Sequence, residues 1–223
     1  MALKLIAFDL DGTLIDSVAD ITKALNVALL PYTDSTVTVE ETKTMVGEGV
    51  AKLIGKVFAS TGIMVEKETL ARRFVEYYTA HPADYTHPFD GVEETLLEMK
   101  AYRKIIISNK LEALSLRVLD LTGLRKYFDY VAGYDTGPER KPSPRPILDA
   151  MQAFGVQPGE AMMVGDSIYD LEAGRAAGIA TVAVLYGYGS PGFEKDADFV
   201  IQRFSELKGI VDRLERQSSN GCS

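Results

Sequence analysis

Asp9 and Asp11 in the run Asp9-Leu10-Asp11-Gly12-Thr13 are the side chains best placed for chemistry in this sequence. They follow Leu3-Lys4-Leu5-Ile6-Ala7-Phe8, an apolar run that reads as a buried strand. A regular strand would send the two carboxylates to opposite faces. Gly12 permits a sharp turn there, so both can face one pocket. Anionic groups crowded together repel each other, and the arrangement persists best around a cation.

Three more polar clusters follow along the chain. Ser108-Asn109 ends the β-branched run Lys104-Ile105-Ile106-Ile107. Lys141 stands in Arg140-Lys141-Pro142, where the proline stiffens the chain. Gly165-Asp166-Ser167 ends the apolar run Ala161-Met162-Met163-Val164, with Asp170 in the first turn of the next helix. Taken singly, each has a plain structural explanation: a strand-end turn, a solvated lysine, acids favoured at a helix start. All occur in one order, three of them at strand ends, and that asks for a single explanation.

The elements that would position these residues fall into two textures. After Thr13, Val18, Ile21, Leu25, Ala28 and Leu29 recur at helical spacing behind Asp16 and Ser17, and Pro31 ends that helix. Thr38-Val39-Glu40-Glu41 has the form of a capping box. Gly47-Glu48-Gly49 interrupts the helical pattern before the stripe Val50, Leu53, Ile54, Val57 and Phe58. Leu70, Phe74, Tyr77 and Tyr78 mark a further helix before His81-Pro82. The tyrosines Tyr77, Tyr78 and Tyr85 read as packing within this helical segment.

From Pro88 onward strands and helices alternate. Helices are expected over Glu112–Leu121, from Ser143-Pro144 to Phe154, after Asp166 up to Gly178, and from Phe204 to Leu214. Strands are expected near Tyr130–Gly133, over Ile179–Leu185 and at Asp198–Val200. Alternating β and α implies an α/β fold with a doubly wound parallel sheet, and such sheets bind ligands at the carboxyl ends of their strands. The expected organisation is a core of residues 1–16 and 85–216, an inserted all-helical cap of residues 17–84, and a disordered polar tail at 217–223.

Bulk properties narrow the partners. The chain has 223 residues, 46% of them hydrophobic and 25% charged, with a formal net charge of -8. A diffuse negative field disfavours nucleic acid and anionic membrane, while leaving room for a small anion held by local cations. The one cysteine, Cys222, allows no intramolecular disulfide and suits a reducing cytoplasm. The first apolar run is too short for a signal peptide, and no window has the length of a membrane span. His81 and His87 each precede a proline and have no cysteine partner, so no zinc spacing is present.

The four clusters together resemble the motifs of the haloacid dehalogenase-like hydrolase superfamily: Asp-x-Asp-Gly-Thr, a serine at the second strand end, a lone lysine, and Gly-Asp-x-x-x-Asp. Thr13 resembles the phosphatase branch, because mutases of this kind usually carry Val there. Dehalogenases usually have Tyr in place of Asp11. Val46-Gly47-Glu48-Gly49, Phe89-Asp90-Gly91-Val92 and Ser108-Asn109-Lys110 are similar to phosphoglycolate phosphatase-like members.

The resemblance implies that Asp9 is the nucleophile and that Asp11 protonates the leaving group and then activates water. It implies Mg²⁺ held by Asp9, Asp166 and the backbone carbonyl of Asp11, with Asp170 direct or through water. Lys141 would balance Asp9 and the phosphate, with Ser108, Asn109 and Thr13 around the phosphoryl oxygens. The loop Gly47, Glu48 and Gly49 would reach the substrate. The expected function is hydrolysis of a small phosphorylated metabolite by a monomer or homodimer. Pyrophosphate or a nucleoside monophosphate is the alternative substrate, and a non-catalytic receiver or partner-binding module the alternative of another class.

Overall fold

The computed structural model describes residues 2–220. The first strand, β1 (Leu5–Phe8), is fully buried, with Leu5 and Ala7 on one face of the sheet and Ile6 and Phe8 on the other. A two-residue strand β2 (Ile15–Asp16) leads into the helical segment of α1 (Val18–Leu29), α2 (Val39–Met45), α3 (Val50–Thr61) and α4 (Lys67–Ala80). The chain returns through β3 (His87–Pro88), antiparallel to β2. The remaining elements are α5 (Val92–Glu98), β4 (Arg103–Ile107), α6 (Glu112–Leu121), β5 (Tyr130–Ala132), α7 (Arg145–Phe154), β6 (Ala161–Gly165), α8 (Ile168–Ala176), β7 (Ala180–Val184), β8 (Phe199–Ile201) and α9 (Leu207–Asn220).

Six parallel strands pair in the order β5-β4-β1-β6-β7-β8. β1 is therefore flanked by β4 and β6, whose carboxyl ends carry Ser108-Asn109 and Asp166. The register sets Phe8 opposite Ile106 on one side and Val164 on the other. One face of the sheet buries Phe8 against Phe128 and Phe204, with ring centroids at 6.1 and 5.9 Å. The other buries Ala7, Ile105, Met163, Ile147 and Met151 under α7 and α8.

α1–α4 have an apolar core of their own, built from Leu25, Leu29, Ile54, Val57, Leu70 and Phe74. The Thr38 capping box forms, with Glu41 N–H donating to Thr38 Oγ1 and Thr38 N–H to Glu41. Leu114 of α6 joins this second core, so the two units share packing. Asp20 ties α1 to the segment that returns from α4 to β3. Its Oδ2 accepts from the N–H groups of Tyr85 and Thr86 and from the Thr86 hydroxyl at 2.7–3.0 Å.

Several details differ from the sequence expectations. β2, β3 and α5 were not anticipated: two-residue strands leave no period to read, and α5 spans barely two turns. α7 starts at Arg145, with Pro144 rather than Ser143 in the N-cap place. Pro144 pushes Ser143 out of the helical region, and Pro146 falls in the first turn, where its missing N–H costs nothing. α9 continues to Asn220, so residues 217–220 of the expected disordered tail are helical, while 221–223 lie outside the described residues. Leu207, Ile210 and Val211 anchor α9 in the core, and an anchored helix propagates into polar sequence at little cost.

Phe8 links β1 to both flanking aromatic contacts. Phe8→Ala is expected to lower unfolding stability by about 3–5 kcal/mol in urea denaturation. A loss under about 1 kcal/mol would show that β1 is not the central packing element.

Candidate active site

The strand order brings the predicted carboxylates into one place. One oxygen each of Asp9, Asp166 and Asp170 lies within 4.8 Å of the others, and all three residues are buried. Asp9 leaves β1, Asp166 follows β6, and Asp170 projects back from the first turn of α8. Two glycines make the approach possible. Gly12 has φ +83, and a Cβ there would overlap the Asp166 carboxylate. A Cβ on Gly165 would overlap Asp170.

Lys141 sits beneath the cluster, 4% exposed, with Nζ 2.8 Å from Asp9 and 2.6 Å from Asp170. Asp170 Oδ2 accepts from the Ser167 N–H and hydroxyl in a capping box, which fixes its rotamer. Asp166 accepts from Thr13 Oγ1 at 3.1 Å and from the Tyr188 N–H at 2.7 Å. Burial pushes the Asp9 carboxyl up to about 6, with Asp170 adding to the shift and Lys141 opposing it. Burial also raises Asp166 well above the ordinary carboxylate range, reinforced by Asp9 and Asp170. For Lys141 burial acts downward, but Asp170 and Asp9 outweigh it and hold the ammonium above its usual value. Three carboxylates with one ammonium leave an excess of acid, and their oxygens are hard donors of the kind divalent cations take.

A cavity of about 60 Å³ opens from this cluster toward the helical segment. Asp9, Asp11, Ser108 and Asn109 form its floor, and Ile21, Val50, Leu53 and Phe74 of the inserted helices line its roof. Gly47 and Gly49 are in the wall. Asn109 Nδ2 donates to the carbonyls of Gly47 at 2.9 Å and Lys141 at 3.1 Å, so one side chain ties the loop to the core.

Some expected site residues are placed differently. The Thr13 hydroxyl is spent on Asp166, so Thr13 supports a cluster carboxylate and does not line the cavity. Glu48 turns away to Lys56 at 2.8 Å and to the Tyr169 hydroxyl, because a carboxylate is repelled by an acidic site and drawn to an ammonium. Lys141 backs Asp9 from below and is not on the cavity wall. Ser17 stands in the N-cap place of α1, yet its hydroxyl donates to Asp11 Oδ1 at 2.5 Å instead of capping the helix.

Lys110 and Tyr78 are site residues that the sequence reading missed. Lys110 is buried and contacts both oxygens of Asp11 at 2.8 and 2.9 Å, and Tyr78 Oη at 2.6 Å. The signal for Lys110 was its place two residues after Ser108 in a strand-end loop. Tyr78, taken as packing, was four residues after Phe74 on the same buried stripe.

Comparison with known proteins bears on what this arrangement does. The sequence pattern of the haloacid dehalogenase-like hydrolase family matches residues 6–184. The chain belongs to that family. It is 37% identical over 212 residues to a phosphoglycolate phosphatase of Aquifex aeolicus, covering 94% of this chain and 97% of the relative. It is likewise 37% identical over 219 residues to one of Chromobacterium violaceum, covering 94% and 96%. A crystal structure described as a predicted phosphoglycolate phosphatase from Haemophilus somnus 129PT superposes with a TM-score of 0.88 at 27% identity, covering 93% of this chain and 97% of that one.

This haloacid dehalogenase-like hydrolase falls in the phosphoglycolate phosphatase-like branch and is a phosphoric monoester hydrolase. That sets aside the receiver and binding-module readings. Among the described residues no helix is long and apolar enough to cross a membrane.

Among the described residues Lys141 is the one ammonium in contact with Asp9 and Asp170. Lys141→Met leaves the carboxylates uncompensated in a buried site and is expected to cost about 3–5 kcal/mol of stability in metal-free buffer. Equal urea midpoints for variant and parent would contradict this charge balance.

Proposed function

We propose that the chain is a Mg²⁺-dependent phosphatase that hydrolyses a small phosphate monoester of the phosphoglycolate type through a phosphorylated Asp9. The observation that carries this reading is the position of Asp9. Its carboxylate belongs to the buried acidic cluster and also lines the cavity beneath the inserted helices.

In the first transfer an Asp9 oxygen bonds to phosphorus as the bond from phosphorus to the ester oxygen breaks. The leaving oxygen takes a proton from the Asp11 carboxyl group. In the second transfer Asp11 takes a proton from water, whose oxygen bonds to phosphorus as the bond to Asp9 breaks. Ser108 Oγ, on the cavity wall, and the Asn109 N–H are the donors suited to the phosphoryl oxygens. Asp9, Asp166 and Asp170, with the Asp11 carbonyl, would hold Mg²⁺, as their hard oxygen donors and excess negative charge suit. When bound, the ion supplies charge that screens Asp9 from the phosphate and polarises its oxygens. The inserted helices act as a cap that excludes water.

The cavity favours a small organic leaving group. A nucleoside would have to set its polar base and ribose against the apolar Ile21, Val50, Leu53 and Phe74. Pyrophosphate would set a second phosphate against Leu53, Val50 and Phe74, and the cation on that wall, Lys110, is already paired with Asp11. The relatives named phosphoglycolate phosphatase support the same substrate class, and a cytoplasmic location accords with it.

Hydrolysis of phosphoglycolate is expected to stop on chelation and to return with added Mg²⁺. Asp9→Asn is expected to fall below about one-thousandth of the parent rate in a phosphate-release assay. Turnover that survives the Asn substitution would exclude Asp9 as nucleophile.

A further inference from the structure

Asp11 stands apart from the other carboxylates. It is not among the three that converge within 4.8 Å, although it lies only two residues from Asp9. Its side chain is held on the cavity side by two donors from different elements. Ser17 Oγ donates to Oδ1, and the Lys110 ammonium meets both oxygens. An ammonium has three N–H donors and no acceptor. Lys110 uses them on Asp11 and on Tyr78 Oη, and it also lies 4.6 Å from the centroid of the Tyr78 ring.

The three partners come from three parts of the fold. Asp11 follows β1, Lys110 follows β4, and Tyr78 belongs to α4 of the cap. The contact therefore crosses the boundary between core and cap. Burial alone would lower the Lys110 pKa, yet Asp11 and Tyr78 together hold it above the usual lysine value. Burial carries Tyr78 itself up to about 12, so its hydroxyl stays neutral.

The strength of this hold depends on burial. A lysine–carboxylate pair in water is worth about 0–1 kcal/mol, because solvent competes for both groups. The same pair enclosed under an aromatic ring and a hydroxyl is much less screened. When α4 lies against the core, Lys110 is enclosed and Asp11 has one orientation. If α4 moves away, Lys110 loses Tyr78 and meets water, and the Asp11 side chain regains its rotamers.

We propose that Lys110 is a positioning residue for Asp11, and that Tyr78 makes this positioning conditional on closure of the cap. Proton delivery to the leaving oxygen is thereby tied to a closed site. The inference rests on the acid–base role given to Asp11 above. It adds a residue whose ammonium is spent on Asp11 and Tyr78, and a device that couples the cap to the chemistry.

The test uses the leaving group. An alkoxide is a poor leaving group and needs the proton, whereas p-nitrophenolate leaves without one. The quantity kcat/KM covers the steps up to the first transfer. Tyr78→Phe removes only the hydroxyl, and Lys110→Met keeps most of the side-chain volume.

For each variant, the loss of kcat/KM on phosphoglycolate is expected to exceed the loss on p-nitrophenyl phosphate. The excess is about tenfold for Tyr78→Phe and about a hundredfold for Lys110→Met. A merely structural role would depress both substrates alike, and equal losses overturn the proposal while leaving the phosphatase reading intact. If Lys110→Met fails to fold, Tyr78→Phe decides by the same ratio. A parent enzyme that turns over neither ester with Mg²⁺ overturns the phosphatase reading and this inference with it.

Discussion

The burial of three carboxylates against one ammonium is the constraint on which the rest of this structure depends. Asp9, Asp166 and Asp170 carry more negative charge than Lys141 can balance, in a place where solvent cannot help. Nearly every local feature answers that imbalance. Gly12 and Gly165 let the carboxylates approach. Thr13, Ser167 and the Tyr188 N–H donate hydrogen bonds to them. The parallel sheet supplies the location, since β1 lies between β4 and β6 and all three strands end at the same edge. A divalent cation at the cluster would relieve this excess of acid.

The inserted helices solve a different problem. Their own apolar core lets them fold against one another, while Leu114, Asn109 and Lys110 reach across from the sheet side. The cavity that results has a polar floor and an apolar roof. Carboxylates are gathered on the floor, and apolar side chains of the inserted helices make the roof. Asp20 fastens the start of α1 to the segment by which the chain returns to the sheet.

Much of this was legible in the sequence, for a definite reason. Asp9, Asp166 and Asp170 sit at strand ends or helix starts, where local pattern fixes direction, and Lys141 stands in a proline-stiffened turn. Four sites in one order then constrain one another. The parallel α/β class followed from the alternation of apolar runs and helical stripes, and the capping box at Thr38 from local spacing alone. What escaped depended on long-range partners. Thr13 was placed by its neighbours in sequence, yet its hydroxyl is taken by a carboxylate 153 residues away. Glu48 shares a loop with Gly47 and Gly49, but electrostatics turn it toward Lys56. Tyr78 looked like one more apolar position on a stripe, because nothing local reveals the ammonium at its hydroxyl.

The claim that the acidic cluster exists to hold a divalent cation can be measured without any substrate. Calorimetric titration of the metal-free protein with Mg²⁺ should give one site per chain, and Asp166→Asn should weaken it by at least about tenfold. Binding of equal affinity in the variant, or no binding in the parent, would contradict the account.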